Sequence, residues 1–509
     1  MQQSLSVNLE TAQDLPRRLA HLLSAASLII CPVLISGCGE DSKQTSPLTK
    51  THKDVSLTLV CPDKAFLTAL SPAARSWAER TGAKIAIKLE TMSLDDDADI
   101  GIIDAPELGF WADREKLKQV PVSLRAPDNP FQWTGILPAY REQLIVWGGQ
   151  AQAIPLAGEG YVIVYRADRL KDPKVVAAFN AQFSHNPAPP TTWDEFAAIA
   201  TVFASIDGKP SLPPCSNSEL ASLFFRIAAC YDRKVQRESY DVRNVGGLEA
   251  LSFQFDLTSS KPRLSSPAFQ ASADWFANLA TKKCIPPIVQ DLISNPALAL
   301  ANNEASIAVL SLAQLARMPR DNGSIPERFG IAALPGTQVV FDPENRRPMV
   351  LAVPNYVPYF AGGRLGVVRS HCKNSDAAFE LLAELGGPTR STEIVSASDL
   401  GAGPFRNVHL DHERIMVWYG YGFDAARSDA LRNALLQNVQ LEVKNPTFGL
   451  RGPDQQALST SAANAIGKIA SGTSADIGLK QLIDDWNQIE MKTPFETRLK
   501  WRKMSVGLN

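Results

Sequence analysis

Residues 55–60 (VSLTLV) alternate apolar with polar positions, the pattern of a half-buried strand, and Cys61-Pro62-Asp63-Lys64 breaks it. Residues 65–80 change to a helical pattern, closed by Thr81-Gly82 with glycine in the usual place after a helix; Pro72 is expected to kink or restart it. Residues 83–88 (AKIAIK) alternate again, and after a Ser/Asp-rich loop residues 99–104 (DIGIID) predict a third short strand. Strand, helix, strand, loop and strand make a β-α-β unit, hence a parallel sheet with helices on its faces. Ligands of such sheets sit beyond the carboxyl ends of the strands, which places Asp63, Lys64, Asp104 and Ala105 on the binding edge.

The middle of the chain has the same grammar. Residues 153–166 (AIPLAGEGYVIVYR) read as a strand entry, a Gly-flanked turn at Glu159 and a long apolar strand. Residues 189–196 (PPTTWDEF) begin a helix: Thr192 and Glu195 have capping-box spacing, and Phe196, Ile199, Ala200 and Phe203 share one face. Residues 304–310 predict a buried strand followed by Ser311. A strand with a turn is predicted over 329–336 and another strand over 362–369, then a helix over 375–385 ended by Gly386-Gly387.

The amino terminus adds chemistry of its own. Arg17, Arg18 and His21 precede an apolar run over 22–35. That run is shorter than the roughly 20 residues a membrane-spanning helix needs, and with its basic flank it reads as a signal peptide. It ends in Ile35-Ser36-Gly37-Cys38, which resembles the bacterial lipobox. The resemblance implies cleavage before Cys38 and acylation of that cysteine, a membrane anchor in which each buried CH₂ contributes about 0.8 kcal/mol. The polar segment after it reads as a tether. The folded body is therefore expected in the cell envelope, outside the cytoplasm and tied to the membrane.

Composition narrows the function. Hydrophobic residues are 45% and charged residues 20%, which excludes a disordered tail, a collagen-like fibre and a coiled coil. Against 53 Asp+Glu the 51 Lys+Arg leave no basic surplus to neutralise phosphates, so no nucleic-acid partner is expected. The body carries Cys61, Cys215, Cys230, Cys284 and Cys372, with no CxxC and no zinc spacing. Cys215–Cys230 is a candidate bridge, with five free thiols as the alternative. His409 and His412 lack the Glu of a metalloprotease helix, and Asp95, Asp96, Asp97 and Asp99 lack the calcium-loop spacing, so the acidic stretch reads as a solvated loop. No Walker A motif, strand-led GxGxxG or GxSxG occurs. Neither a catalytic residue, a metal nor a cofactor is expected.

These elements, in this order, resemble family 1 extracellular solute-binding proteins, which serve sugar ABC importers. The sharper matches are residues 153–170 (AIPLAGEGYVIVYRADRL) and 190–196 (PTTWDEF). Asn303-Glu304-Ala305-Ser306-Ile307-Ala308, residues 330–336 (GIAALPG), and Gly362-Gly363 followed by residues 373–379 (KNSDAAF) add to them. Asn303-Glu304 departs from the family's Gly-Lys, and the chain after about Gly403 matches poorly. The resemblance implies a type II periplasmic-binding fold: two α/β lobes joined by crossing hinge strands that close on a ligand. It implies crossings near Glu159, near residues 296–301 and near Gly362. The division it suggests is a signal peptide over 1–37 and a lipid-anchored tether over 38–53. Lobe one then holds 54–160 and 298–362, and lobe two holds 161–297 and 363–509.

The function implied is capture of a small solute, a sugar or oligosaccharide, for ABC permease subunits. A sensor presenting ligand state to a membrane kinase and an exported glycan-active enzyme are the alternatives. Sugar hydroxyls need charged or amide partners, and the sugar face needs an aromatic platform. Asp63, Lys64 and Glu159 fall where maltodextrin-binding relatives contact sugar hydroxyls. Asp104 shares the strand-end edge, and Ser311 ends its own strand. Tyr161, next to the crossing, is the leading aromatic, ahead of Trp111, Trp133, Trp418, Tyr419 and Tyr421. Arg406, in Pro404-Phe405-Arg406, resembles a family motif near the cleft.

Overall fold

A computed structural model describes residues 51–237, 247–287, 295–342, 346–440 and 442–509. The signal segment, Cys38 and nearly all of the tether lie outside them. Among the described residues no helix is long and apolar enough to cross a membrane.

The first sheet has five strands in the order Lys84–Lys88, Ser56–Val60, Ile100–Asp104, Arg364–Val368 and Ile154–Ala157. The first three run parallel, as the β-α-β reading requires. Strand Arg364–Val368 pairs antiparallel with Ile100–Asp104 on one side and Ile154–Ala157 on the other. Helix Lys64–Thr81 buries Phe66, Leu70, Ala74, Trp77 and Ala78, a single face at helical spacing. It is capped by Asp63 and stopped by Gly82 at φ 81°, a left-handed conformation that glycine adopts without steric cost. The helix continues through Pro72, which lies with Thr68 on the exposed face.

The second sheet has three antiparallel strands, with Tyr161–Arg166 between Ile307–Ser311 and Phe329–Ala332. Alternation splits the central strand between two cores: Val162 and Val164 join the core of the first sheet, whereas Ile163 and Tyr165 join the second. The second core is built with helices Trp193–Asp207, Asn217–Asp232 and Pro267–Thr281. Thr192 accepts a hydrogen bond from Glu195 N at 3.1 Å, the capping box read from the sequence.

Strand pairing groups these strands differently from the expected division. Strands Ile307–Ser311 and Phe329–Ala332, assigned to lobe one from sequence, belong to the second sheet, and Arg364–Val368, assigned to lobe two, belongs to the first. Helix Pro296–Ala301 buries Ala297, Ala299 and Leu300 in the first core and leads to strand Ile307–Ser311 of the second sheet. All these strands are short and apolar, so periodicity cannot say which sheet each one joins.

The chain passes between lobes at Gly158–Gly160 and again before Arg364, where Tyr359–Phe360 pairs with Thr447–Phe448. Past residue 403, helices Gln455–Ala470 and Ala475–Glu490 add Leu458, Ile466, Leu482 and Trp486 to the second core. The last helix, Phe495–Ser505, packs Trp501 and Met504 against the first core. Its Arg502 reaches back to Glu490 and Asp454.

Candidate functional site

The carboxyl ends of Ser56–Val60 and Ile100–Asp104 bring Asp63 and Asp104 to one edge of the first sheet. Asp63 divides its carboxylate: Oδ1 accepts from Phe66 N at 3.0 Å and Oδ2 from Arg364 Nη2 at 2.6 Å. Arg364 Nη1 lies 3.5 Å from Asp104 Oδ1, so one guanidinium bridges two strand ends. Asp104 is 64% exposed, Asp63 34% and Arg364 27%. Lys64 is exposed beside them at the first position of its helix. Glu107 completes the edge; burial, and after it the charge of Asp104, raises its pKa above the usual carboxylate range.

The adjoining crossing carries a second cluster with the opposite character. Gly158 and Gly403 exchange backbone hydrogen bonds, N to O, at 3.0 and 2.8 Å. A Cβ on Gly158 would overlap the Pro404 carbonyl oxygen, so the close approach that the glycines permit is to the chain's own 403–404 segment. Glu159 N donates to Tyr140 Oη at 3.0 Å. Glu159 Oε1 accepts from Ala361 N at 2.7 Å, and Oε2 from Arg226 Nη2 at 2.8 Å. Arg226 also donates to the Tyr359 carbonyl at 2.8 Å, and its guanidinium lies 3.8 Å from the centroid of the Tyr161 ring. Both partners are buried, with Glu159 14% and Arg226 6% exposed. Burial pulls the Arg226 pKa down, but Glu159 and the surrounding tyrosines outweigh it and hold it above the ordinary value. Burial, and then the Glu159 charge, keeps Tyr140 protonated.

Opposite, on the second sheet, Ser311 is the register partner of Tyr161. Ser311 caps the short helix Leu312–Leu315 in a capping box with Gln314, whose amide reaches Glu219 on helix Asn217–Asp232. The Tyr161 hydroxyl meets Arg226 and Ser222 on that same helix.

Comparison with known proteins now places the chain. A family model described as bacterial extracellular solute-binding protein matches residues 81–415, well over half of the chain. The chain belongs to this family. Similar solved structures include a maltose-bound MalE3 of T. maritima, at 15% identity and TM-score 0.57, covering 86% of this chain and 100% of that one. A cyclic alpha-maltosyl-1,6-maltose binding protein from Arthrobacter globiformis aligns at 14% identity and TM-score 0.58, over 86% of this chain and 100% of that chain. The sugar-binding protein MalE from Xanthomonas citri aligns at 13% identity and TM-score 0.60, over 86% and 98%. A search of curated protein sequences finds no match. At such identities the likeness establishes the fold, which is type II periplasmic-binding. The family and these neighbours are binding proteins.

Against this fold, the residues singled out from sequence divide into two groups. Asp63, Lys64 and Asp104 share an open edge. Both carboxylate oxygens of Glu159, expected to accept sugar hydroxyls, are engaged by Ala361 N and Arg226 Nη2. Arg406, expected near the cleft, has backbone partners instead. It is buried and its guanidinium donates to the carbonyls of Gly386, Gln132 and Phe131 at 2.7, 3.1 and 3.0 Å. Trp111, Trp418 and Tyr421 are core residues, and Trp133 packs on Phe131. Cys215 and Cys230 are both free thiols. The acidic loop is anchored rather than merely solvated, since Asp96 pairs with the buried Arg369 at 2.7 Å and Asp99 accepts from Thr58 N at 2.9 Å.

Sequence reasoning missed Arg226, Tyr140 and Arg364. Arg226 does carry a readable signal: it sits among Phe224, Phe225, Ile227 and Ala228 on a helix, and a lone arginine in an apolar run needs a buried partner.

Proposed function

We propose that this protein captures a sugar or oligosaccharide outside the cytoplasm and delivers it to the permease subunits of an ABC importer, anchored to the membrane by lipid on Cys38. The observation that carries the reading is the open edge of Asp63, Lys64, Asp104 and Arg364 at the carboxyl ends of parallel strands, beside a glycine-lined crossing between two lobes. Carboxylates that accept and cations that donate are what a polyhydroxylated ligand needs, because each hydroxyl does both. Ser311 and the free face of the Tyr161 ring, at paired strand ends of the second sheet, are our proposed contacts from the second lobe. The fold is shared with proteins whose solved structures hold maltose or cycloalternan, which favours a carbohydrate over other solutes.

The test is a thermal-shift screen of the full-length protein in detergent against mono-, di- and oligosaccharides. A ligand at ~100 Kd adds about 2.7 kcal/mol to the folded state. The same ligand should lower the radius of gyration in small-angle scattering, since only a ligand that touches both lobes favours the closed form. A screen in which amino acids or peptides shift the melting point and no saccharide does would refute the sugar reading. For the anchor, Cys38→Ser should move the protein from the detergent phase to the aqueous phase.

A further inference from the structure

We propose that Arg364, held between Asp63 and Asp104, is a ligand-contacting residue of the first lobe, and that this cluster selects uncharged polyhydroxylated ligands over anionic ones. The inference rests on the solute-binding reading and deepens it.

Three of the buried arginines are held mainly by backbone carbonyls. Arg406 fans across three carbonyls. Arg451 donates to those of Gln143, Leu144, Val146 and Ser505. Arg369 takes two carbonyls and Asp96. Arg364 is spent on carboxylates, as the buried Arg502 is, but it stands partly open to solvent. It is the first residue of its strand, in register with Asp104 on one side and Ala157 on the other. Its partners are the side chains of Asp63 and Asp104, and it stays 27% exposed. A guanidinium carries five N–H donors, and two carboxylate oxygens cannot engage them all. Donors remain for a ligand on the edge where ligands of this sheet type sit.

The charge balance defines the ligand. Asp63, Asp104 and Glu107 supply three carboxylates against the two cations Lys64 and Arg364. A carboxylate or phosphate approaching Arg364 would compete with Asp63 at 2.6 Å and be repelled by exposed Asp104. A neutral vicinal diol meets no such conflict. One hydroxyl accepts from Arg364 and another donates to Asp104, and neither existing pair breaks. Asp63 is then a positioning residue, since its two oxygens hold the helix terminus and the guanidinium.

The decisive experiment is calorimetric titration of the full-length protein in detergent with maltotriose, maltose, cellobiose, raffinose, glucuronic acid and glucose 6-phosphate. The expected result is binding of at least one neutral saccharide and of neither anion. Arg364→Met should weaken that binding ~30-fold or more, and Arg364→Lys, which keeps the charge but loses the fork, ~10-fold. Asp104→Asn should narrow the preference for the neutral sugar over the anions, which a merely structural Asp104 would not do. Should Arg364→Met fail to fold, Arg364→Lys decides alone. Wild-type affinity for a neutral sugar in an Arg364 variant that folds would overturn the inference and leave the sugar reading intact. Preference of the wild type for either anion would overturn it too. Binding of none of the six would remove the reading and the inference together.

Discussion

One carboxylate–guanidinium cluster sits at the end of the first sheet and another at the crossing next to it, and they do different work. Asp63–Arg364–Asp104 sits at an open strand edge, with Asp104 mostly in water. Glu159–Arg226 is buried among tyrosines at the crossing, and both carboxylate oxygens of Glu159 have protein partners. The chemistry is the same and the burial is not. In water an ion pair is worth little and its groups stay free to exchange partners, which suits ligand capture. Out of water the same groups cannot be separated without leaving a bare charge, which suits a pin between moving parts.

The comparison breaks most sharply at Arg226. Arg226→Met strands Glu159 in a buried site and removes the bond to the Tyr359 carbonyl, so unfolding free energy should fall by about 3–5 kcal/mol. Chemical denaturation checks this, and a loss under ~1 kcal/mol would show that the pair is not a structural pin.

Acid should act on the buried side too. His409 is completely buried, with Nε2 2.9 Å from Ser391 Oγ and Nδ1 accepting from Phe405 N at 3.3 Å. Burial, then the charges of Arg406 and Arg414, pushes its pKa down to about 3. The folded value lies below the unfolded one, near 6.5, so the stability is fully present above pH ~6.5 and is lost as the pH falls from there toward 3. The loss should approach ~1.4 kcal/mol per pH unit, and His409→Asn should flatten that dependence in denaturation curves taken from pH 7 to 4. Equal slopes in both proteins would place the titration elsewhere.

Glu159→Gln is milder, because the amide keeps shape and one acceptor. Loss of the charged hydrogen bonds should cost about 1–3 kcal/mol of stability without ligand, and affinity in the folded molecules should hold. Weakened affinity with an unchanged apo melting temperature would return Glu159 to the ligand and erase the contrast.

The smallest stability effect belongs to the open edge. Asp104→Asn should change unfolding free energy by less than about 0.5 kcal/mol, as expected of an exposed position, while ligand affinity moves. A large stability loss would mean that the edge too is structural.

Much of the local structure was legible along the chain. The strand over 56–60, its helix with the Asp63 cap and Gly82 stop, the capping box at Thr192 and Glu195, and the helix Ser375–Leu385 followed by two glycines all follow from period and cap chemistry. The edge residues Asp63, Lys64 and Asp104 were legible for the same reason: they directly follow or end strands. Arg364 was not, because its strand runs antiparallel to Ile100–Asp104 and begins where that strand ends, and only this pairing sets it beside residues some 260 to 300 positions earlier.

Sequence by itself therefore determined the elements, their order, the family resemblance and the strand-end chemistry, since each depends on neighbours within about a turn of helix or a few strand positions. Tertiary structure decided which sheet each apolar strand joins, and which charges are buried. Glu159 illustrates the limit. Its flanking glycines announce a close approach, but whether ligand or protein fills that space depends on Arg226, 67 residues away, and Ala361, 202 residues away. Burial is a property of packed surfaces, and no local pattern encodes the partner that completes them.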